Sequence, residues 1–361
     1  MRVLWLNHRD SENPRWGGAE KTILEVGSRL VARGHEVDWF SSRWRGAPAH
    51  STVRGIRISR FGGTLGPHIA AAAVLRGHSP PDVVVDDLAH ALPWASNWLS
   101  SVPTVVFFHH LHARTLSGQV AWPISTILKL GERNYARIYA STIFVTESTQ
   151  SMEDLQRLGI PRGRCVKIPP GVDTKLFHPG IRSQPPSILY FGGLRHYKRP
   201  EDAIRAFAQF RRLGSEGVLT IVGGGPCLPH VAAVAHEQGV EAQVRILGRL
   251  STAELASVLE SSTVNVHCAV AEGWCFSAME AAACGVPTVA YDAPGIRESI
   301  VNGVSGLLVE SGSTSALAEG IARVVCDPER WREPTLAHAR SFRWDATAEA
   351  WERVLTQCSS G

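Results

Sequence analysis

Residues 271–290 read AEGWCFSAMEAAACGVPTVA, a loop, a helix and the start of a strand in one short stretch. A β-branched run, Val264–His267, precedes it and ends near Ala269. Glu272, Gly273 and Trp274 then occupy a loop, the spacing predicts a helix over 277–284, and Pro287–Tyr291 reads as the next strand. Short β-branched runs separated by helix-length segments are the pattern of a parallel sheet with crossover helices.

The same alternation extends in both directions. Toward the C-terminal side of the break described below, the strands are Ile188–Phe191, Val218–Val222 and Val244–Leu247, with helices over 201–213, 228–238 and 252–260. Toward the N-terminus they are Val3–Asn7, His35–Phe40, Asp82–Val85, Thr104–Phe108, Thr142–Thr146 and Cys165–Ile168. The first helix, 18–33, carries Ile23, Val26 and Leu30 on one face and stops at Gly34, a residue suited to the left-handed turn after a helix. Val53–Arg60 alternates loosely, as an edge hairpin does. The break is IPPGVDTKLFHPGIRSQPP, residues 168–186, where five prolines exclude helix from most of the segment. The expected organisation is therefore an N-terminal domain over 1–170, a linker over 171–186 and a second domain over 187–344. An amphipathic helix over 345–357 is expected to pack back on the first domain. In such α/β domains, ligands bind at the carboxyl ends of the strands, here facing an inter-domain cleft.

Composition narrows the class of protein. The chain of 361 residues is 44% hydrophobic and 19% charged, too apolar for disorder and too long for one ordinary core. Seven scattered cysteines without a CxxC argue against a disulfide framework or structural zinc and suit a reducing compartment. The apolar run Val3–Leu6 meets His8, Arg9 and Asp10 too soon for a secretory signal. No stretch reads as a membrane span: the longest without Asp, Glu, Lys or Arg, 88–113, contains Pro93, Asn97, Pro103 and several histidines. Charge is uneven, with 21 basic against 14 acidic residues over 1–178, and 16 against 19 over 179–361. A predicted helix over 119–139 puts Lys129, Arg133 and Arg137 on one face, a surface suited to anionic lipid or an acceptor pyrophosphate as well as to plain solvent. Nucleic acid is a poor partner, because aromatic and basic residues do not interleave.

In the 271–290 segment, a glycine before a helix start lets an anion approach free backbone N–H groups. Glu280 lies one turn into that helix and Glu272 on the loop before it; as acceptors, both suit sugar hydroxyls better than phosphate. Gly223, Gly224 and Gly225 leave the end of a strand bare for a nucleotide, and Gly17 and Gly18 do the same before helix 18–33. No Asp-x-Asp triplet is available to hold a divalent ion against a diphosphate, so no metal cofactor is expected. His109, His110 and His112 do not suggest a metal site, since consecutive strand-end side chains diverge and no acid lies nearby in sequence. No GxGxxG follows any predicted strand, which disfavours an NAD-dependent dehydrogenase.

The two glutamates and their spacing resemble the Glu-x7-Glu motif of the retaining family 4 glycosyltransferases, whose GT-B fold consists of two Rossmann-like domains. Other segments agree in order: WGGAE (16–20), PTVVFFHH (103–110), IPPGVDTKLF (168–177), YFGGLRHYKRP (190–200), LTIVGGGP (219–226), VRILGRL (244–250) and PGIRESIVNGVSGLLV (294–309). The resemblance implies that Glu280 holds the donor ribose and Glu272 the transferred sugar, with the amides of Gly273, Trp274, Cys275 and Phe276 over sugar and diphosphate. It implies that Lys198 neutralises the leaving diphosphate, that His109 is the active-site histidine, and that Gly18, Gly193, Gly224 and Arg249 flank the donor. Three positions depart from the family: Gly193 where arginine is common, Cys275 where glycine is usual, and Pro170 where asparagine is usual. Arg195, aided by Arg199, is the candidate replacement for the missing arginine. The implied reaction is retaining, metal-independent transfer of a hexose from a nucleoside-diphosphate sugar to a glycan, polysaccharide or lipid-linked acceptor, in the cytoplasm or at the inner face of the membrane. An epimerase or phosphorylase of the same fold, or a non-catalytic sugar-nucleotide scaffold, are the alternatives.

Overall fold

The computed structural model describes residues 1–63, 66–77, 79–90, 92–114 and 122–360, with only the backbone of 114, 122–125 and 127. The chain forms two compact units, residues 1–171 with 344–361, and residues 172–343.

The first unit is built on an eight-stranded sheet. Its strands are β1 (Arg2–Leu6), β2 (Glu36–Arg43), β3 (His50–Val53), β4 (Ile56–Gly62), β5 (Val83–Asp87), β6 (Thr104–Phe108), β7 (Ile143–Thr146) and β8 (Cys165–Lys167). They lie in the order β3-β4-β2-β1-β5-β6-β7-β8, all parallel except β3, which forms the edge hairpin with β4. Both faces are buried, which explains why the strands read as continuous apolar runs. Val3 and Trp5 point into one core with Ile23, Leu30 and Phe107, while Leu4 and Leu6 point into the other with Phe108 and Tyr139.

The C-terminal helix, Trp344–Ser359, belongs to this unit. Trp351 is fully buried, its ring 4.9 Å from Trp5 and 5.0 Å from Phe107, while Arg33 pairs with Glu349 and Glu352 at the surface. The predicted helix over 119–139 is not one helix. Its first positions, 119–121, lie outside the described residues, and Trp122–Arg133 ends at a turn on Asn134 before the short helix Tyr135–Ile138.

The second unit carries six parallel strands: β9 (Ser187–Phe191), β10 (Val218–Val222), β11 (Val244–Gly248), β12 (Val264–His267), β13 (Thr288–Tyr291) and β14 (Gly306–Val309). Their order, β11-β10-β9-β12-β13-β14, reverses direction between β9 and β12. That switch point opens the crevice in which doubly wound sheets bind ligands. Residues 172–186, expected to be a linker, instead pack into this unit. Val172 N–H donates to the Phe342 carbonyl at 3.0 Å, Phe177 is fully buried in the core with Leu189 and Trp274, and Gly180 lies against Glu260. Prolines had excluded helix there, but extended chain buries apolar side chains equally well. Strand β14 and the helices Gly66–Leu75, Thr314–Cys326 and Glu329–Arg340 complete the two units without having been marked in the sequence; the last contains Pro334.

Candidate functional site

In the second unit, the loops leaving β9 and β12 meet at the switch point. Val270 N–H donates to the Tyr197 carbonyl at 3.0 Å and Tyr190 donates its hydroxyl to the Lys198 carbonyl at 3.3 Å, so the two loops are fixed to each other and to the sheet. Lys198 Nζ stands 2.8 Å from Glu272 Oε1, and His267 Nε2, at the end of β12, stands 3.4 Å from the same oxygen. Burial disfavours the charged carboxylate, but the two cations outweigh it and hold Glu272 down to about 2. Burial works against the Lys198 ammonium too, and the Glu272 charge overrides it, keeping the lysine charged well above its ordinary range. For His267, burial is opposed by Cys275 and Glu272, which raise it to about 9. His267 Nδ1 is 3.1 Å from Ser277 Oγ, in the first turn of the helix Phe276–Ala283.

That helix begins where the sequence placed it, with Cys275 as its cap residue at φ −91°, in a region open to any residue. This removes any conformational need for glycine at 275. The thiol is buried, with Sγ 3.4 Å from Ser277 Oγ; burial raises it, and the His267 charge overrides this and lowers it. Its amide, however, donates to Ser299 Oγ at 3.1 Å, so the expected row of four amides over a donor loses that member to the protein itself. Trp274 is turned inward, 5% exposed with its ring 5.3 Å from Phe342, and its side chain serves the core rather than a ligand. Phe276 is half-buried at the first helical position and Glu280 is buried one turn on. Gly273 is buried.

Close backbone approach dictates the glycines. A Cβ on Gly223, at φ +139°, would stand 1.9 Å from the Gly192 carbonyl oxygen, and one on Gly295, at φ +77°, 1.9 Å from that of Glu272. The second contact, with Glu272 N–H donating to the Pro294 carbonyl at 3.0 Å, clamps the Glu272 peptide. Arg249 lies over Gly224, its Nε 2.9 Å from where a Cβ would be. Arg195 folds back over Gly193 with Nε 3.7 Å from the equivalent point, occupying the space that a side chain at 193 would enter. Arg199 does not join it: its left-handed backbone at φ 46° caps the helix Pro200–Arg212, and its Nε pairs with Asp202 at 3.3 Å.

In the first unit, His109 follows β6 at the carboxyl edge of the sheet. The residue is 5% exposed, with Nε2 2.9 Å from Asp87 Oδ1 and Nδ1 3.1 Å from Glu147 Oε2. Glu147 also accepts from Thr22 Oγ1 at 3.0 Å. Burial opposes a charged ring, but the two carboxylates raise it to about 10. The acids absent from the neighbouring sequence are thus supplied by β5 and by the end of β7. His112 is likewise paired, with Glu132 at 3.2 Å. Gly18 opens the helix Gly18–Ala32, whose preceding Gly17 amide donates to Glu20 Oε2 at 2.6 Å, and Glu20 also holds Arg9 at 3.0 Å. Among the described residues, no group of three or more His, Cys, Asp or Glu is arranged to hold a metal ion, and no helix is long and apolar enough to cross a membrane.

Sequence reasoning passed over His267, Ser277 and Ser299 in the second unit, and Asp87 and Glu147 in the first. One signal was available: His267, Asp87 and Glu147 are polar residues at the carboxyl ends of strands, where doubly wound sheets place ligand contacts.

Comparison with known proteins bears on the family and the fold. The sequence model "Glycosyltransferase Family 4" matches residues 16–176 and "Glycosyl transferases group 1" matches residues 172–337. The chain is 27% identical to a D-inositol 3-phosphate glycosyltransferase of Acidothermus cellulolyticus, over 92% of this chain and 84% of that protein. It is 28% identical to D-inositol 3-phosphate glycosyltransferase 2 of Catenulispora acidiphila, over 94% and 90%. Among solved structures, sucrose-phosphate synthase of Thermosynechococcus elongatus superposes with a TM-score of 0.83 at 21% identity, covering 99% of this chain and 98% of that one. HepE of Anabaena, solved in complex with UDP and glucose, superposes with a TM-score of 0.77 at 17% identity, covering 99% and 100%.

Proposed function

Since the chain belongs to the family 4 (group 1) glycosyltransferases and has their GT-B fold, we propose that it transfers a hexose from a nucleoside-diphosphate sugar to an acceptor hydroxyl with retention of configuration. The observation that carries this reading is the Lys198–Glu272 pair at the β9/β12 switch point, beside the N-terminus of the helix Phe276–Ala283. A donor there would place its diphosphate against Lys198, Arg195 and the helix N-terminus, its sugar hydroxyls on Glu272 and its ribose on Glu280. Lys198 and the helix dipole would take the negative charge that grows as the glycosidic bond breaks, the role a divalent ion has in metal-dependent transferases. In front-face displacement, the acceptor oxygen bonds to the anomeric carbon on the side from which the diphosphate leaves, and a leaving phosphate oxygen takes the acceptor proton.

The complexes of the Anabaena structure support a uridine nucleotide as the first donor to try. The names of the curated relatives support a cyclitol phosphate as the first acceptor, ahead of a glycan or lipid-linked saccharide. The donor supply puts the reaction in the cytoplasm. Arg133 and Arg137, both exposed, would favour peripheral contact with an anionic membrane.

The test is a thermal-shift panel of UDP, GDP, ADP and TDP sugars. A specific donor at 100 times its Kd adds about 2.7 kcal/mol of stability. We expect one nucleotide to raise the melting temperature clearly above the rest, and Glu280→Ala to abolish the shift. A flat panel would sink the reading, and an inverted anomeric centre in the product, read by NMR, would sink retention.

A further inference from the structure

Glu272 has two cations on one oxygen, which is more than its single charge requires. Lys198 comes from a 3-10 turn, 196–198, on the loop after β9. Its Nζ lies 3.9 Å from the point a Cβ on Gly192 would occupy, beside the glycine turn that the proposed diphosphate would cross. His267 is held quite differently. It is 2% exposed, pairs through its strand with Ala290 of β13, and is fastened at Nδ1 by Ser277 Oγ at 3.1 Å. The lysine has a flexible stem with which to follow an anion; the imidazole has nowhere to go. A diphosphate that draws Lys198 away would leave the Glu272 carboxylate buried with its nearest charge removed, a strongly unfavourable state.

We propose that His267 is the standing countercharge of Glu272: its imidazolium remains on the carboxylate when Lys198 turns to the donor diphosphate, and keeps Glu272 aimed at the sugar hydroxyls. His267 is thus a positioning residue, and this inference rests on the donor reading above. His267 Nε2 faces Glu272 Oε1 at 3.4 Å, within ion-pair distance, and Nδ1 lies 3.1 Å from Ser277 Oγ, so each ring nitrogen stands beside an oxygen, which suits the charged form. The titratable groups around it are Glu272 and Cys275 on the following loop and Lys198 across from it, with Tyr190 and Tyr197 behind the lysine. Cys275, in the place of the family's glycine, favours the same imidazolium when its thiol is ionised.

Two measurements test this in the full-length chain. The first follows the His267 ring by NMR, across pH, in the unaltered protein and in Lys198→Met. We expect the ring to be protonated at pH 7.5 in both, with Lys198→Met deprotonating at a higher pH because a competing cation is gone. A neutral ring at pH 7.5 in either protein overturns the proposal, whether or not the donor reading survives. The second compares His267→Gln, which keeps a hydrogen-bond donor without the charge, using the nucleotide sugar that gives the largest shift in the panel. KM for that sugar should rise at least tenfold while binding of the same nucleoside diphosphate without sugar changes less than twofold. The fall in kcat/KM as pH rises through about 9 should disappear with it. Equal weakening of diphosphate and sugar nucleotide would mark a merely structural histidine and overturn the proposal. Absence of any binding nucleotide sugar condemns the donor reading and leaves the NMR titration to decide.

Discussion

His109 shows how far neighbours decide what a residue does. Asp87 and Glu147 take one ring nitrogen each, which leaves no lone pair to accept a proton, so near neutrality the side chain is a fixed positive charge and not a base. The ring is raised from its ordinary 6.5 to about 10, so the stability it contributes is fully present below pH 6.5 and is lost as pH rises through 10. Thermal melts of His109→Gln against the unaltered chain should therefore differ most near pH 6.5 and converge above pH 10; a pH-independent gap would refute the double ion pair. His8 goes the other way. Buried beside His68 and Arg9, it falls to about 3, and the stability of keeping it neutral is lost as pH drops below 6.5. Neither outcome was legible in sequence, because the acids that meet His109 are 22 and 38 residues away along the chain. Glu272 was legible, since a loop carboxylate beside a helix start has a local signature, but the His267 and Lys198 that hold it were not legible as its partners.

At the scale of elements, most of the strands marked in the sequence formed within a residue or two of their expected ends, because period and β-branching are local properties; β2 runs on to Arg43 and β14 had not been marked. Turns followed too where glycine had a steric reason. Gly223→Ala should destabilise the chain by a few kcal/mol, since its Cβ at 1.9 Å from the Gly192 carbonyl forces β9 and β10 loops apart at a positive φ. Gly163→Ala, where nothing lies within 4 Å of the added carbon, should change stability by no more than about 0.5 kcal/mol. Denaturant midpoints measured side by side check the pair, and equal losses would refute the close approach. Pattern failed at 119–139 and at 172–186 for one common reason. A turn at Asn134 and the burial of Val172 and Phe177 depend on what packs against them, and periodicity does not report that.

For the whole molecule, the chain leaves the first unit after residue 171, completes the second, and returns at 344. The ends of the second unit meet, with Val172 N–H on the Phe342 carbonyl, as the ends of an independently folding domain do. A fragment of residues 172–343 should melt cooperatively and keep nucleoside-diphosphate binding. A fragment of 1–171 lacks Trp351, whose burial against Trp5 and Phe107 is worth about 3–5 kcal/mol, and should lose its cooperative melt until 344–361 is restored. Circular dichroism melts decide it; a cooperative 1–171 would show the returning helix to be dispensable. The sequence by itself determined the succession of strands and helices, the glycine turns and the acidic pair around the helix start, because each follows from residues a few positions apart. Only the tertiary structure decided which carboxylates flank His109, which cations share Glu272 and where residues 172–186 belong. Burial and Coulomb attraction act across space, and they join residues that the chain keeps tens to hundreds of positions apart.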